Sequence, residues 1–427
     1  MLRLTEYEEK MLRGEFGPFR QSAMELICDY ANVLGAEELV SVRRATLFIG
    51  AHHYLDCLPE DASYEKLFST FYLNRKEALP LERFAPECAA QTCAAACDLT
   101  EDTNLGSEFV ARNRSYFDKT AQVGVSIVSS CTPYYVGWVP LMEEVFVTNE
   151  SSNTLMSNSV FGAYGNADGI ETAVCSAITG RTPRWGMLLK ENRYGDVVFR
   201  LETAPKNAFD WDLIGYTVGR LLPPHGKPIL CGDFSTRPDI NMLRQCFSAL
   251  ASTSAAEICH IVGVTPEART LEDALGGKAP RAEITVTAAD IAQSLAMLCD
   301  EGSGKVELVS IGCPHLSLEE LRDLAWRLEG ETVSSGTEFW IWTDYATQLM
   351  AKESGYLALI EGSGAKVYNS ACPLVMREKS HARYHGMVMS GAKQAHNIRA
   401  QTKSPIYFGT TEQCIRAALR GYWEVEA

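Results

Sequence analysis

At 427 residues the chain is long enough for two or three packed units with substantial cores. Its 39 lysines and arginines stand against 54 aspartates and glutamates, and the net charge of -15 repels nucleic acid and anionic membrane surfaces. The N-terminal MLRLTEYEEKMLRGEFGPF has no apolar signal-peptide core, and no window reaches the roughly 18 apolar residues of a membrane span, so a cytoplasmic protein is expected.

Residues 4 to 35 read as helices: LTEYEEKML has an acidic first turn, and QSAMELICDYANVLG carries apolar residues at helical spacing up to a stop at Gly35. ATLFIG, residues 45 to 50, reads as a buried strand. The run CAAQTCAAACD places Cys88, Cys93 and Cys97 within one short segment, the right residue type for a metal cluster. Its alanines favour a helix, however, with Cys93 and Cys97 on one face, and helix packing is the preferred reading there. Residues 125 to 270 mix short strands and helices with Gly, Ser, Thr and Asn clusters, which leaves the sheet order open.

The C-terminal stretch is clearer. KVELVSIG (305 to 312) is a strand, and SLEELRDLAWRLEG (317 to 330) is an amphipathic helix with Ser317 as N-cap and Glu320 completing a capping box. EFWIWT (338 to 343) is a strand, DYATQLMAKESGYLALIEGSG is helical, and KVYNSA (366 to 371) is a third strand. GMVMSG (386 to 391), a short helix, PIYFG and a final helix from Thr410 complete a βαβ series, hence an α/β class with a parallel doubly wound sheet. Approximate regions are 1 to 124 (helical and α/β), 125 to 300 (central α/β) and 301 to 427 (doubly wound α/β).

The 14 cysteines do not suit a disulfide framework in a long acidic chain, and most are expected to be reduced, with Cys28 and Cys299 as small core-filling thiols. Cys313 and Cys372 differ, because each follows a strand and precedes a proline, at the carboxyl edge of a parallel sheet where ligands bind. Ser390 follows the next strand on the same edge, and upstream Cys131 precedes Thr132-Pro133 after an apolar strand ending at Ser129. Three strand-end cysteines suit an iron-sulfur cluster or zinc with one metal position open to a substrate; a catalytic thiol and chance are the rivals.

With these residues in view, the sequence resembles the catalytic large subunit of the aconitase X family over almost its full length. The words that carry the resemblance, in order, are LTEYEEKMLRGEFG, SCTPYYVG, NESSNTLMSNSVFGA, AITGRTPRWG, HIVGVTPEA, SIGCPHLSLEEL, NSACPLV and SGAKQAHN. The resemblance implies an aconitase-like fold of several Rossmann-like α/β/α units with parallel sheets. It implies a two-iron or four-iron sulfur cluster held by Cys131, Cys313 and Cys372, and a separate small swivel subunit that supplies the base. It also implies dehydration of a small hydroxy acid, either cis-3-hydroxy-L-proline or mevalonate 5-phosphate. An iron not fully ligated by protein takes the leaving hydroxyl in that chemistry.

Around the cysteines, Glu150 and Asn153 in ESSN are candidates for ordering a water or protonating the leaving group, against a plain turn with an exposed acid. His260 is a candidate catalytic donor, against a structurally satisfied histidine. Arg181 and Lys393 are candidate grips for a substrate carboxylate, against solvated surface charges, and Asn74, Asn158 and Ser390 complete the candidate substrate set. His315 is read as a cap for the helix that follows it.

Two segments depart from the family pattern. After NSVFGA the family usually carries arginines, whereas this chain reads Tyr164-Gly165-Asn166-Ala167-Asp168, which weakens an anionic, phosphate-bearing substrate. Phe71-Tyr72 stand where two threonines usually precede Leu73-Asn74. The leading expectation is therefore a hydro-lyase acting on a compound such as cis-3-hydroxy-L-proline. A mevalonate 5-phosphate dehydratase and a non-catalytic iron-sulfur sensor or scaffold remain as alternatives.

Overall fold

The computed structural model describes residues 2–48, 82–93, 107–369, 371, 374 and 381–425. Its first unit opens with the helices Glu6–Leu12 and Pro18–Leu34, the former capped by a Thr5/Glu8 capping box and the latter ended by Gly35 in the left-handed conformation. Strand β1 (Leu39–Ser41) leads into β2 (Arg44–Leu47), the centre of a parallel sheet with β3 (Ala89–Thr92) on one side and β4 (Phe146–Thr148) on the other. Strand β5 (Arg181–Pro183) pairs antiparallel with β1.

Two expectations fail in this unit. Residues 89–92 of the cysteine-rich run form strand β3 rather than a helix, because parallel pairing with Arg44–Leu47 outweighs the helical preference of two alanines. The apolar segment before Cys131 is not a strand: Ser126 makes an isolated bridge to Gln91, and the chain then leaves the sheet at Ser129 with φ 56°. The rest of the run, residues 94 to 98, and Phe71 to Asn74 lie outside the described residues.

The second unit is a parallel sheet in the order β8-β7-β6-β9, from β6 (Val197–Leu201), β7 (Pro228–Cys231), β8 (His260–Ile261) and β9 (Ala282–Val286). Val197, Phe199, Leu230 and Ile261 meet Trp211 and Phe247 of the helices Ala208–Leu221 and Ile240–Thr253 on one face, while Val198 and Ile229 pack on the other.

After the two-residue β10 (Gly304–Lys305), the third unit contains β11 (Leu308–Ile311), β12 (Glu338–Trp342), β13 (Lys366–Tyr368), β14 (Met387–Met389) and β15 (Ile406–Phe408). All run parallel in the order β13-β12-β11-β14-β15, the doubly wound sheet expected from the sequence. Alternation assigns the faces: Phe339 and Ile341 join Leu321, Leu324 and Ile415, whereas Trp340 and Trp342 join Met387, Met389 and Ile398. The Ser317/Glu320 capping box starts the helix Leu318–Leu328 as expected, and the long helical stretch after β12 divides at Gly355 into Tyr345–Glu353 and Tyr356–Gly362. Among the described residues no helix is long and apolar enough to cross a membrane.

Candidate active site

The carboxyl edges of the first and third sheets meet, and the candidate residues concentrate where they do. Cys131 is held at the first edge because the N–H groups of Val128 and Ser129 donate to Thr92 Oγ1 at 3.1 and 3.0 Å. The Thr132 N–H donates to Ser130 Oγ at 3.1 Å and closes the bend around the cysteine. Across the gap, the His315 N–H donates to Cys131 Sγ at 3.3 Å.

Cys313 follows β11 through Gly312, where strand order reverses between β11 and β14. Gly312 has φ 110°, and a Cβ there would stand 2.4 Å from the Trp342 carbonyl oxygen. From the other side, a Cβ at Gly391 would stand 2.2 Å from the Cys313 carbonyl oxygen. Two bare Cα atoms therefore let three backbone segments close on the cysteine. Ser390, half-buried, precedes Gly391 at the end of β14.

The helix Ala392–Arg399 starts beside Cys313, and the buried Asp212 carboxylate accepts the Ala392 N–H at 2.7 Å. Lys393 in its first turn donates to Glu150 Oε1 at 2.7 Å. Burial alone would lower the pKa of the Lys393 ammonium, but Glu150, Cys313 and Cys131 outweigh it and raise it, so the lysine is a half-buried cation beside both thiols.

Glu150 is buried, which removes the exposed-turn reading: it caps the helix Ser151–Ser159 from the end of β4. Its Oε2 accepts from the Asn153 N–H at 2.6 Å and the Ser152 hydroxyl at 2.5 Å, so with Lys393 three donors converge on it. Asn153 Nδ2 reaches Thr148 Oγ1 at 3.2 Å, which ties the capped turn to β4.

His315 does not cap the next helix, because Ser317 does. Its Nε2 lies 2.6 Å from the Ala371 carbonyl oxygen, which can only accept, so the proton sits on Nε2. Burial lowers its pKa, opposed by Asp344, the Ala371 bond and Glu150, and leaves a neutral ring whose Nδ1 has no hydrogen-bond partner among the described residues.

The other candidates lie elsewhere. Arg181 Nε donates to Glu8 at 2.9 Å and its guanidinium stands over Tyr7, a support within the first unit. Asn158 uses both amide hydrogens on the Gly165 and Glu257 carbonyls, at 2.7 and 2.9 Å, and accepts from Arg193. His260 bonds the Arg193 carbonyl at 2.8 Å and lines a cavity of about 580 Å³ with Tyr164, Arg193 and Glu267, a lining without any of the cysteines. Cys372 and Asn74 lie outside the described residues.

Three residues that fix this geometry escaped the sequence reading. Arg244, 1% exposed, donates to the His315 carbonyl at 3.0 Å and grips Glu320 at 2.6 and 2.7 Å. Asp344 caps the helix after β12 and accepts from Ser130 Oγ at 3.3 Å, on the bend before Cys131. Asp212 is the third. The traceable signals are an arginine on an otherwise apolar helix stripe, and in Asp344 a cap residue directly after a strand.

The surroundings of the two described cysteines suit thiolates. Cys131 and Cys313 share one cation, and Ala371, the neighbour of Cys372 in sequence, is bonded to His315. Among the described residues alone, no three His, Cys, Asp or Glu side chains are grouped to hold a metal ion.

Family models described as the aconitase X first, second and third domains match residues 1–191, 195–296 and 306–420. The chain belongs to the aconitase X family. It is 29% identical over 397 residues to the phosphomevalonate dehydratase large subunit of Methanothermobacter thermautotrophicus, covering 92% of this chain and 93% of that one. It is 27% identical over 425 residues to the cis-3-hydroxy-L-proline dehydratase of Pseudomonas aeruginosa, covering 98% of this chain and 70% of that one. The crystal structure of Thermococcus kodakaraensis aconitase X in its holo-form superposes with a TM-score of 0.82 at 25% identity, covering 98% of this chain and 100% of that one. The fold is thus that of aconitase X, and the named dehydratases place the chain among the hydro-lyases.

Proposed function

We propose that the chain is the large subunit of an iron-sulfur-dependent dehydratase, working in the cytoplasm with a small subunit on a small hydroxy acid. The observation that carries this reading is the meeting of Cys131, Cys313 and the Lys393–Glu150 pair between two sheet edges. Cys131, Cys313 and Cys372 would hold the cluster. When bound, it supplies a Lewis-acidic iron for the leaving hydroxyl.

The chain's own residues position the substrate and handle charge. Lys393 grips the substrate carboxylate while balancing the thiolates. Glu150, ringed by three donors, accepts a hydrogen bond from the substrate hydroxyl or a water and orients it. Asn153 holds the capped turn in place, and Ser390 stands at the strand end beside Gly391 as a further hydroxyl donor. The small subunit brings the base, so the large chain alone is inactive.

The preferred substrate is cis-3-hydroxy-L-proline. The segment Tyr164 to Asp168, which bridges to Thr148 through Ala167 two positions before Glu150, contains no arginine to meet a phosphate. Mevalonate 5-phosphate is the second reading, favoured by the match of the chain to 93% of a phosphomevalonate dehydratase large subunit. Anaerobic co-purification with the small subunit, followed by assay on both compounds, tests the choice. Turnover of the hydroxyproline is expected; turnover of mevalonate 5-phosphate alone would reverse the order, and turnover of neither would refute the substrate class.

A further inference from the structure

The cavity of about 580 Å³ that His260 lines opens between the first and second units. It is separate from the cysteine site: Tyr164 bridges to Val145 at the entry to β4, whereas Glu150 follows the exit of that strand. Neither Glu150 nor Lys393 lines it, and its size is that of a small-molecule site.

The floor offers acceptors but no spare charged donor. The Arg193 guanidinium, 1% exposed, stands 4.1 Å over the Tyr164 ring and uses its N–H groups on Glu267, Asn158 and the Met187 carbonyl. His260 Nε2 lies 2.8 Å from the Arg193 carbonyl oxygen, which can only accept, so the proton sits on Nε2. Burial lowers the pKa of this ring, and its Nδ1 has no hydrogen-bond partner among the described residues.

The mouth carries both signs of charge. Lys190 and Arg269 stand there with Glu143 and Glu272, all exposed, and none of the four side chains is in an ion pair among the described residues. Glu143 holds φ 63°, a left-handed conformation that non-glycine residues keep only where the surroundings impose it, and ligand clamps are one such place. Met142, 56% exposed, and Pro266 add an apolar edge.

We propose that this cavity binds a small zwitterion, an α-amino acid with an apolar side chain, at a site distinct from that of the cysteines. A lone anion or cation would meet repulsion as well as attraction at such a mouth, whereas a ligand carrying both charges answers both. Its ammonium meets the acceptors of the floor, its carboxylate faces Lys190 and Arg269, and its side chain lies on Met142 and Pro266. Binding here is independent of whether the cysteines hold a cluster.

Isothermal titration calorimetry on the full chain, with the common apolar L-amino acids as probes, tests the proposal. The tightest probe is then compared with its decarboxylated amine and its deaminated acid, and with binding to the double variant Lys190→Ala/Arg269→Ala. Both side chains are exposed, so that variant keeps the fold. Saturable binding is expected, weakened at least ~10-fold by removal of either charged group from the probe and again in the double variant.

The absence of binding by every probe would overturn the proposal. An amine or acid that binds as tightly as the amino acid would overturn the zwitterion assignment. Undiminished affinity in the double variant would place the ligand outside this cavity. A protein without iron, or without dehydratase activity, would leave the proposal standing.

Discussion

Lys393 carries the charge balance of the site, since it is a half-buried ammonium between the buried Glu150 and two cysteines. Lys393→Met keeps most of the apolar stem but strands the Glu150 carboxylate. It is expected to cost about 3–5 kcal/mol in urea denaturation, as breaking a buried pair does, and to lower the iron content. Gly391 has a purely steric role. Gly391→Ala would place a Cβ 2.2 Å from the Cys313 carbonyl oxygen, so the turn must shift, at a cost of about 1–3 kcal/mol. Iron analysis of that variant should show a loss although no cysteine has changed; unaltered iron and stability would show that the close approach is not needed.

At the scale of elements, the helices that surround the cysteines are fixed by buried polar contacts, and one of them is sensitive to pH. Burial pushes the Asp212 carboxyl up to about 8, against the lowering effect of the Ala392 N–H and Arg244. A folded-state pKa above the unfolded value means that the native protein binds this proton more tightly. The associated stability is present below the unfolded pKa of about 4 and is lost as pH rises through about 8. Relative to Asp212→Asn, the wild type should lose up to about 1.4 kcal/mol per pH unit across that window in denaturation titrations, and parallel profiles would contradict the assignment.

Legibility also divides by element. The third sheet was readable because buried parallel strands appear as continuous apolar runs and Ser317 with Glu320 marks a helix start. Strand β3 was not, because AAQT has helical composition and becomes a strand only through β2. The helix Ser151–Ser159 was hidden for the opposite reason: its polar residues are buried, yet satisfied by one another and by β4.

In the whole molecule, the site exists only because two sheets distant in sequence face each other edge to edge. The Cys131–His315 and Glu150–Lys393 contacts span 184 and 243 positions, which no local pattern reveals. Cys313 could be picked out singly by its place after a strand, but not the pairing of Glu150 with Lys393 or the wedge of Gly391 against Cys313. Arg244 joins the second unit to the third through Glu320 and the His315 carbonyl. Arg244→Ala is expected to lose about 3–5 kcal/mol, read as an earlier thermal transition, together with weaker iron retention. A loss of stability with iron retention unchanged would separate this clamp from the site.

The central claim, that the facing sheet edges hold an iron-sulfur cluster, is tested most directly by iron and sulfide quantitation on anaerobically purified wild type and on Cys131→Ser, Cys313→Ser and Cys372→Ser. The account predicts iron and sulfide in the wild type and a substantial loss in each variant. Wild-type protein without iron, or iron undiminished in all three variants, would contradict it.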